Sequence, residues 1–169
     1  AEDEGGGMYL RESSNPILTD VTFSSNTAHE GGGMHLYYSS PILIRVAIID
    51  NSAYSYFGGG VYIKDNSAPK FINVTISGNS AAMYGGGMYI HDFSNPTLMG
   101  VTISSNIAGS RGGGIHISGS SITGSNLLIN NNYAEGHGAG IFISAGSNIN
   151  INKSTIASNM VGKGDTFGA

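Results

Sequence analysis

Short stretches in which apolar and polar residues alternate recur along the whole chain. Alternation with a period of two is typical of β-strands that bury one face, and the chain lacks the 3.6-residue period of an amphipathic helix. The first stretch of each repeat has aliphatic residues or Met at its outer positions, as in Met8-Tyr9-Leu10 and Val61-Tyr62-Ile63. A second stretch follows a proline in four repeats, and a third has the form of Val74-Thr75-Ile76. The pattern therefore predicts three short strands in each repeat.

Glycine triplets separate these groups of strands at regular intervals. The triplets begin at Gly5, Gly31, Gly58, Gly85 and Gly112, and Gly138-Ala139-Gly140 is an imperfect sixth copy. The repeat length is 26 or 27 residues, which is typical of solenoid proteins. A unit this short, with three strands and a glycine corner, predicts one turn of a parallel β-helix, and parallel crossovers are almost always right-handed. We therefore expect an all-β, right-handed parallel β-helix of about six coils.

One asparagine follows the third apolar stretch of every repeat, three residues after its last apolar position. These residues are Asn26, Asn51, Asn79, Asn106, Asn132 and Asn159. Asparagine tolerates the backbone angles of a corner, and amides stacked in register satisfy one another's hydrogen-bonding groups. We expect a structural asparagine ladder through the coils. An alanine follows two residues later in five repeats, and Val161 takes its place in the sixth.

The composition narrows the class of protein. The chain has 169 residues, of which 11% are charged, and its formal net charge is −4. So few basic residues argue against a nucleic-acid partner, and no apolar run approaches the ~18 residues of a membrane span. The chain has no cysteine, which excludes disulfides and zinc–thiolate sites. A surface of Ser, Asn, Thr, Gly and Tyr favours an extracellular or cell-surface location, as in secreted bacterial proteins.

The two ends of the sequence fit the repeat. Ala1 precedes the first glycine triplet by four residues, as Ala81 and Ala108 precede theirs, and Asn159 predicts a seventh glycine corner near Asp165. We interpret residues 1–169 as a single β-helix domain that is a segment of a longer β-helix. The alternative is a subunit that stacks head to tail with other copies into a filament.

The central residue of each first strand is expected to point outward, and in every repeat it carries a ring. This column consists of Tyr9, His35, Tyr62, Tyr89, His116 and Phe142. An exposed strip of rings suits stacking on sugar rings or on a partner protein. The alternative is that the rings pack on one another and stabilise the coils. Metal binding by the two histidines is not expected, because three coils separate them by about 14 Å.

Two aligned carboxylates offer a different chemistry. Asp65 and Asp92 occupy the same position in adjacent coils and follow Lys64 and His91. Carboxylates about 5 Å apart can share a proton, divide acid and base roles, or bind Ca²⁺. The alternative is a solvated turn with alternating charges, because Tyr38, Gly119 and Ala145 occupy this position in other coils.

Two motifs carry a resemblance to a known family. Phe23 and Asn26 form an F-x-x-N motif, and Ile replaces Phe in the other repeats, while each glycine triplet precedes Met, Val or Ile. In this the chain resembles the repeats of polymorphic outer-membrane proteins, whose motif has GGA where this chain has GGG. The resemblance implies a right-handed β-helix of the autotransporter-passenger type with no catalytic residues to carry over.

Together these features predict a non-catalytic, extracellular or cell-surface β-helix segment with a structural or adhesive role. It would serve as a stalk, passenger or filament subunit, recognise glycan or protein along one face, and need no cofactor. The alternative function is a polysaccharide lyase or glycoside hydrolase that uses Asp65 and Asp92 as its carboxylates, with Lys64 and His91 beside them.

Overall fold

A computed structural model describes residues 4–162. Within this range the chain forms 24 short β-strands and no helix. Strands pair in parallel with their counterparts in the neighbouring coils, which gives four sheets of six strands each. The prediction of an all-β parallel solenoid with about six coils is confirmed. Ala1 and the corner predicted near Asp165 lie outside the described residues.

The strands fall into four sheets that run along the axis of the helix. The first sheet consists of β1 Met8–Leu10, β5 Met34–Tyr37, β9 Val61–Lys64, β13 Met88–Ile90, β17 Ile115–Ser118 and β21 Ile141–Ser144. The second sheet consists of β2 Ile17–Thr19, β6 Ile42–Ile44, β10 Lys70–Ile72, β14 Thr97–Met99, β18 Ser121–Ser125 and β22 Asn148–Asn152. The third sheet consists of β3 Thr22–Ser24, β7 Ala47–Ile49, β11 Thr75–Ser77, β15 Thr102–Ser104, β19 Leu128–Asn130 and β23 Thr155–Ala157.

A fourth sheet corrects the prediction of three strands per coil. It consists of β4 Thr27–Ala28, β8 Ser52–Ala53, β12 Ser80–Ala81, β16 Ile107–Ala108, β20 Tyr133–Ala134 and β24 Met160–Val161. Each of these strands has two residues, which is too short to show an alternating pattern. The sequence signals the strand only through the recurring alanine, whose side chain points into the interior: Ala108 and Ala134 are fully buried.

Stacking in register produces the core. Phe71 pairs with Leu43 in the coil before it and with Leu98 in the coil after it, so each apolar residue covers its counterparts. The side chains of Leu43, Phe71 and Leu98 are completely buried. In the last coil, by contrast, Ile156 is 51% exposed. The coils therefore bury their apolar residues against their neighbours, as in other solenoids.

The six asparagines form a continuous chain of hydrogen bonds along the interior. The Nδ2 and backbone N–H of Asn79 both donate to Oδ1 of Asn106, at 2.9 and 3.0 Å. Asn106 donates in the same way to Oδ1 of Asn132. Its Nδ2 also donates to the carbonyl oxygen of Ile76, at 3.0 Å. Each buried amide is thereby satisfied by groups of the adjacent coils.

A second polar column, made of serines, lies at the corner between the first and second sheets. Its members are Ser14, Ser39, Ser67, Ser94, Ser120 and Ser147. The backbone N–H of each donates to the hydroxyl of the next, for example from Ser39 to Ser67 at 3.0 Å. The sequence does not reveal this column, because serine is frequent throughout the chain and the spacing to the strands varies between coils.

Candidate functional site

The ring column predicted from the sequence lies at the centre of the first sheet. Tyr9, His35, Tyr62, Tyr89, His116 and Phe142 pair in register from coil to coil. Neighbouring ring centroids are 4.7–5.3 Å apart. This spacing is within the range of favourable aromatic contacts, so the rings form one continuous column of tilted and edge-to-face contacts.

The expectation that this column is exposed is wrong for its four middle members. His35 is 0% exposed, Tyr62 4%, Tyr89 6% and His116 4%, whereas Tyr9 at the first coil is 40% exposed. Sequence alternation identifies which residues point away from the core, but it does not show which other side chains fold over them. A sugar ring therefore has no access to the faces of the middle rings.

The cover on one side of the ring column comes from the residue that precedes each glycine triplet. This pre-glycine column consists of Glu4, Glu30, Phe57, Tyr84, Arg111 and His137. The ring centroid of Phe57 is 4.7 Å from that of Tyr89, and Tyr84 is 5.0 Å from His116. Arg111 places its guanidinium carbon 5.2 Å from the centroid of the last ring, Phe142.

Polar and charged side chains cover the other side. The Nζ of Lys64 lies 5.4 and 5.6 Å from the ring centroids of Tyr37 and Tyr62. His91 stacks on Tyr89 at 5.6 Å between centroids. The middle of the ring column is thus enclosed from both sides. This agrees with the alternative interpretation of the column, in which the rings pack on one another and stabilise the coils.

Enclosure changes the protonation of the buried rings. Burial, with a further contribution from the charge of Lys64, lowers the pKa of His35 to about 3. Burial is also the main cause that lowers the pKa of His116 to about 4, and the charges of Arg111 and His91 add to it. Burial raises the pKa of Tyr89 to about 12. All three side chains are therefore neutral at pH 7.

His35 lies beside two carboxylates. Its Nδ1 is 3.7 Å from Oε2 of Glu4, too far for a hydrogen bond, and its low pKa makes this a contact with a neutral imidazole. One ligand atom from each of Glu4, Glu30 and His35 lies within 4.8 Å of the other two. The sequence did not predict this group, because the glutamates belong to the pre-glycine column, where other coils carry different residues. A signal was nevertheless present: Glu4 and Glu30 precede consecutive glycine triplets.

Asp65 and Asp92 lie at a corner with left-handed backbone angles, at φ 55° and 51°. The residues at the same corner of other coils, Tyr38, Gly119 and Ala145, also have positive φ. The backbone N–H of Asn66 donates to the carbonyl oxygen of Asp92, so the two aspartates are in adjacent coils, as predicted. Each carboxylate contacts the residue before it: Asp65 is 3.9 Å from Nζ of Lys64, and Asp92 is 2.9 Å from Nδ1 of His91.

An exposed group of rings, which we call the tyrosine patch, consists of His29, Tyr54 and Tyr56. It lies between the fourth sheet and the glycine corner, where His29 follows β4 of the first coil and the two tyrosines follow β8 of the second coil. Tyr54 is 54% exposed and Tyr56 43% exposed, and the centroid of His29 is 5.7 and 5.1 Å from theirs. The sequence did not predict this patch, because the segment between Ala53 and Gly58 is longer than its counterparts and breaks the column alignment.

The clefts of the described part of the chain are shallow. One of about 230 Å³ lies at the corner formed by Phe93, Gly119 and Ala145, and another of about 190 Å³ lies beside Met99 and Thr123. A third, of about 410 Å³, lies at the last described coil. Neither Asp65 nor Asp92 lines any of these three clefts. In residues 4–162 there is no helix that is long and apolar enough to cross a membrane.

Comparison with known proteins agrees with this architecture. A sequence model of a family described as a right-handed β-helix region matches residues 1–121 and, in a second overlapping match, residues 59–167. Neither a curated protein nor a solved structure matches the chain. The two matches together span nearly all of the sequence and agree with the predicted handedness, and so the chain belongs to the right-handed β-helix family.

Proposed function

We propose that this chain is a non-catalytic β-helix segment of an extracellular or cell-surface protein, with a structural and adhesive role. In this role it is a rigid stalk or passenger that recognises glycan or a surface protein along one face. The regular coils, the hydrogen-bonded asparagine column and the low charge support a rigid scaffold. The resemblance to polymorphic outer-membrane protein repeats, a finer assignment than the right-handed β-helix family, is part of this proposal.

The tyrosine patch is the observation that supports recognition best. Tyr54 and Tyr56 present large amphipathic rings to solvent on a rigid scaffold, and His29 extends the same surface. Aromatic faces stack on sugar rings, and exposed aromatic clusters commonly mark binding surfaces. The ring column offers no such surface in its middle coils. We therefore place the recognition site at the patch and at the exposed first ring, Tyr9, rather than along the whole column.

The patch is tested with the double variant Tyr54→Ala/Tyr56→Ala on a glycan array and against immobilised surface proteins, with affinities of any bound partner measured by calorimetry. The removal of two stacking rings is expected to weaken binding by at least about tenfold. The matched control is Tyr38→Ala, because Tyr38 is 46% exposed but lies at a different corner. Equal binding by the wild type and the double variant would exclude the patch as the recognition site.

The enzymatic alternative is favoured by one contact, the 2.9 Å approach of His91 Nδ1 to Asp92, which could orient an acid or base. The variant Asp65→Asn/Asp92→Asn separates the two functions. If the wild type depolymerises an acidic or neutral polysaccharide and this variant does not, the chain is an enzyme and the non-catalytic proposal is wrong. We expect no turnover by either protein.

A further inference from the structure

We propose that Glu4, Glu30 and His35 form a binding site for a divalent transition-metal ion, for which Zn²⁺ is the probe. The site joins two coils: Glu4 belongs to the first, and Glu30 and His35 belong to the second. The two glutamates form a parallel bridge, in which the backbone N–H of Gly5 donates to the carbonyl oxygen of Glu30 at 3.0 Å. The argument for this site does not rest on the proposed adhesive function, although Tyr9 packs on His35 and also belongs to the proposed recognition surface.

The geometry of the three side chains is close to that of a metal site. Their ligand atoms lie within 4.8 Å of one another, and His35 Nδ1 is 3.7 Å from Glu4 Oε2. Three tetrahedral ligands at about 2.1 Å from a zinc ion are about 3.4 Å apart. The glutamate side chains therefore need to move inward by about 1 Å, which rotation about their side-chain bonds provides. The backbone can stay in place.

The environment of His35 also supports a metal site. His35 is completely buried, and within residues 4–162 neither of its ring nitrogens makes a hydrogen bond. Buried polar atoms without partners are rare, because each has lost its hydrogen bonds to water without a replacement. Tyr9 and Tyr62 hold the imidazole in place at centroid distances of 5.1 and 4.7 Å. A metal ion bound to Nδ1 would satisfy one of the two nitrogens.

The ligand set selects the class of metal. Imidazole nitrogen and carboxylate oxygen are both ligands of zinc in proteins, and in sites with three protein ligands a water completes the tetrahedron. Calcium requires six to eight oxygen ligands, far more than two carboxylates supply. The affinities of such nitrogen and oxygen sites rise from Mn²⁺ towards Cu²⁺ and Zn²⁺. A cation here would also be attracted by both carboxylates, which belong to residues paired in one parallel bridge.

Calorimetric titration of the complete 169-residue chain with Zn²⁺, Mn²⁺ or Ca²⁺ tests the site. We expect one Zn²⁺ per chain, weaker binding of Mn²⁺ and no binding of Ca²⁺. Zn²⁺ at about 100 times its Kd should raise the Tm by roughly 5–10 °C, and EDTA should reverse the shift. In NMR spectra, the imidazole signals of His35 should shift on addition of Zn²⁺ while those of His116 stay unchanged.

Two variants remove ligands with little effect on the fold. His35→Phe introduces a residue that already occupies this column at Phe142, and Glu30→Gln keeps the shape of the side chain. Each should weaken Zn²⁺ binding by at least about tenfold. The matched controls are His116→Phe, in the same column but outside the cluster of Glu4, Glu30 and His35, and Glu135→Gln, an exposed acid. Both should bind Zn²⁺ like the wild type.

Three results would overturn the proposal. The first is the absence of saturable Zn²⁺ binding to the wild type. The second is equal affinity in the wild type, His35→Phe and Glu30→Gln. The third is loss of binding in His91→Ala with no loss in His35→Phe, which would place the ion at the surface pair of His91 and Asp92.

Discussion

Asn106 illustrates how a single side chain connects three coils. Its Oδ1 accepts two hydrogen bonds from Asn79, and its Nδ2 donates to Asn132 and to the carbonyl oxygen of Ile76. The residue is fully buried, so no solvent competes for these groups. Stability at this position therefore depends on complete satisfaction of the amide rather than on apolar packing.

Asn106→Ala is expected to lower the free energy of unfolding by about 3 kcal/mol, because it removes the acceptor of the buried backbone N–H of Asn79 and the side-chain donor to the carbonyl oxygen of Ile76. Urea denaturation followed by circular dichroism measures the change. The control is Asn159→Ala in the last coil, where the side chain is half-buried and the loss should be clearly smaller. An equal decrease in the free energy of unfolding for both variants would show that burial of the asparagine does not determine its contribution to stability.

Glycine occurs at the corners for two different reasons: at Gly87 there is no space for a Cβ, and at Gly119 the backbone has a positive φ. A Cβ on Gly87 would lie 2.6 Å from the carbonyl oxygen of Gly114 and 3.0 Å from Nδ2 of Asn106. A Cβ on Gly119 meets nothing within 4 Å, although its φ is +58°. Gly87→Ala should therefore destabilise the protein by about 3 kcal/mol, and Gly119→Ala by about 1 kcal/mol. Thermal unfolding of the two variants measures this difference, and a larger loss for Gly119→Ala would contradict it.

Among the structural elements, the first sheet has an unusual outer face. Its central ring column is enclosed by the pre-glycine column on one side and by Lys64 and His91 on the other. The sheet therefore buries residues on both faces, although its outer face is built of rings and charges. His116 has Tyr84, Tyr89, His91 and Arg111 around it and is held neutral there.

This enclosure makes stability depend on pH. The pKa of His116 is about 4 in the folded protein and 6.5 in the unfolded chain. Between these pH values the unfolded chain binds more protons than the folded protein. The contribution of neutral His116 to the free energy of unfolding is therefore complete above pH 6.5 and is lost as the pH falls to 4. The loss is about 3 kcal/mol at most. Urea denaturation at pH 7.5 and at pH 4.5 measures this loss. The free energy of unfolding should differ less between the two pH values in His116→Phe than in the wild type.

The control for pH is Tyr89→Phe in the neighbouring coil, because the pKa of Tyr89 is about 12. This variant removes the hydroxyl from a ring that packs on His116 but removes no group that titrates in the acidic range. Its difference in stability between pH 7.5 and 4.5 should equal that of the wild type. If the stability of His116→Phe changed with pH as much as that of the wild type, the buried imidazole of His116 would not be the cause of the pH dependence.

At the scale of the whole molecule, stability resides in contacts between neighbouring coils. Strands pair with the equivalent strands one coil away, and the apolar core is continuous across the coils. In such a solenoid the total stability is approximately a sum of coil and nearest-neighbour terms. One coil can therefore be removed without disrupting the pairing of the others, provided that the register is kept.

A deletion of residues 86–112 removes one complete coil of 27 residues and brings Gly85 next to Gly113. This variant should keep the circular dichroism of a β-sheet and unfold cooperatively at a lower urea concentration. A deletion of residues 86–98 removes half a coil and places the strands of one sheet beside the corners of another. It should lose the native signal. Native-like folding of the half-coil deletion would contradict register-dependent pairing.

The fold was more predictable than the site. Phe71 and Leu98 are apolar at equivalent positions of the repeat, so their stacking follows from the period alone. The two-residue fourth strand was not predicted, because an alternating pattern needs more residues to be visible. The exposure of His35 and Tyr62 was predicted wrongly, since alternation describes one strand and not the side chains that cover it.

By itself, the sequence determined the repeat length, the positions of the corners and the apolar columns, because these depend on alternation and backbone preference within each coil. The tertiary structure alone decided which outward-pointing residues are covered and which side chains meet between coils. Glu4, Glu30 and His35 come together in this way. The two glutamates share one position of the repeat, but the other coils carry different residues there, so the repeat pattern does not show that they meet His35. Only the stacking of the first coil on the second places their ligand atoms within reach of one ion.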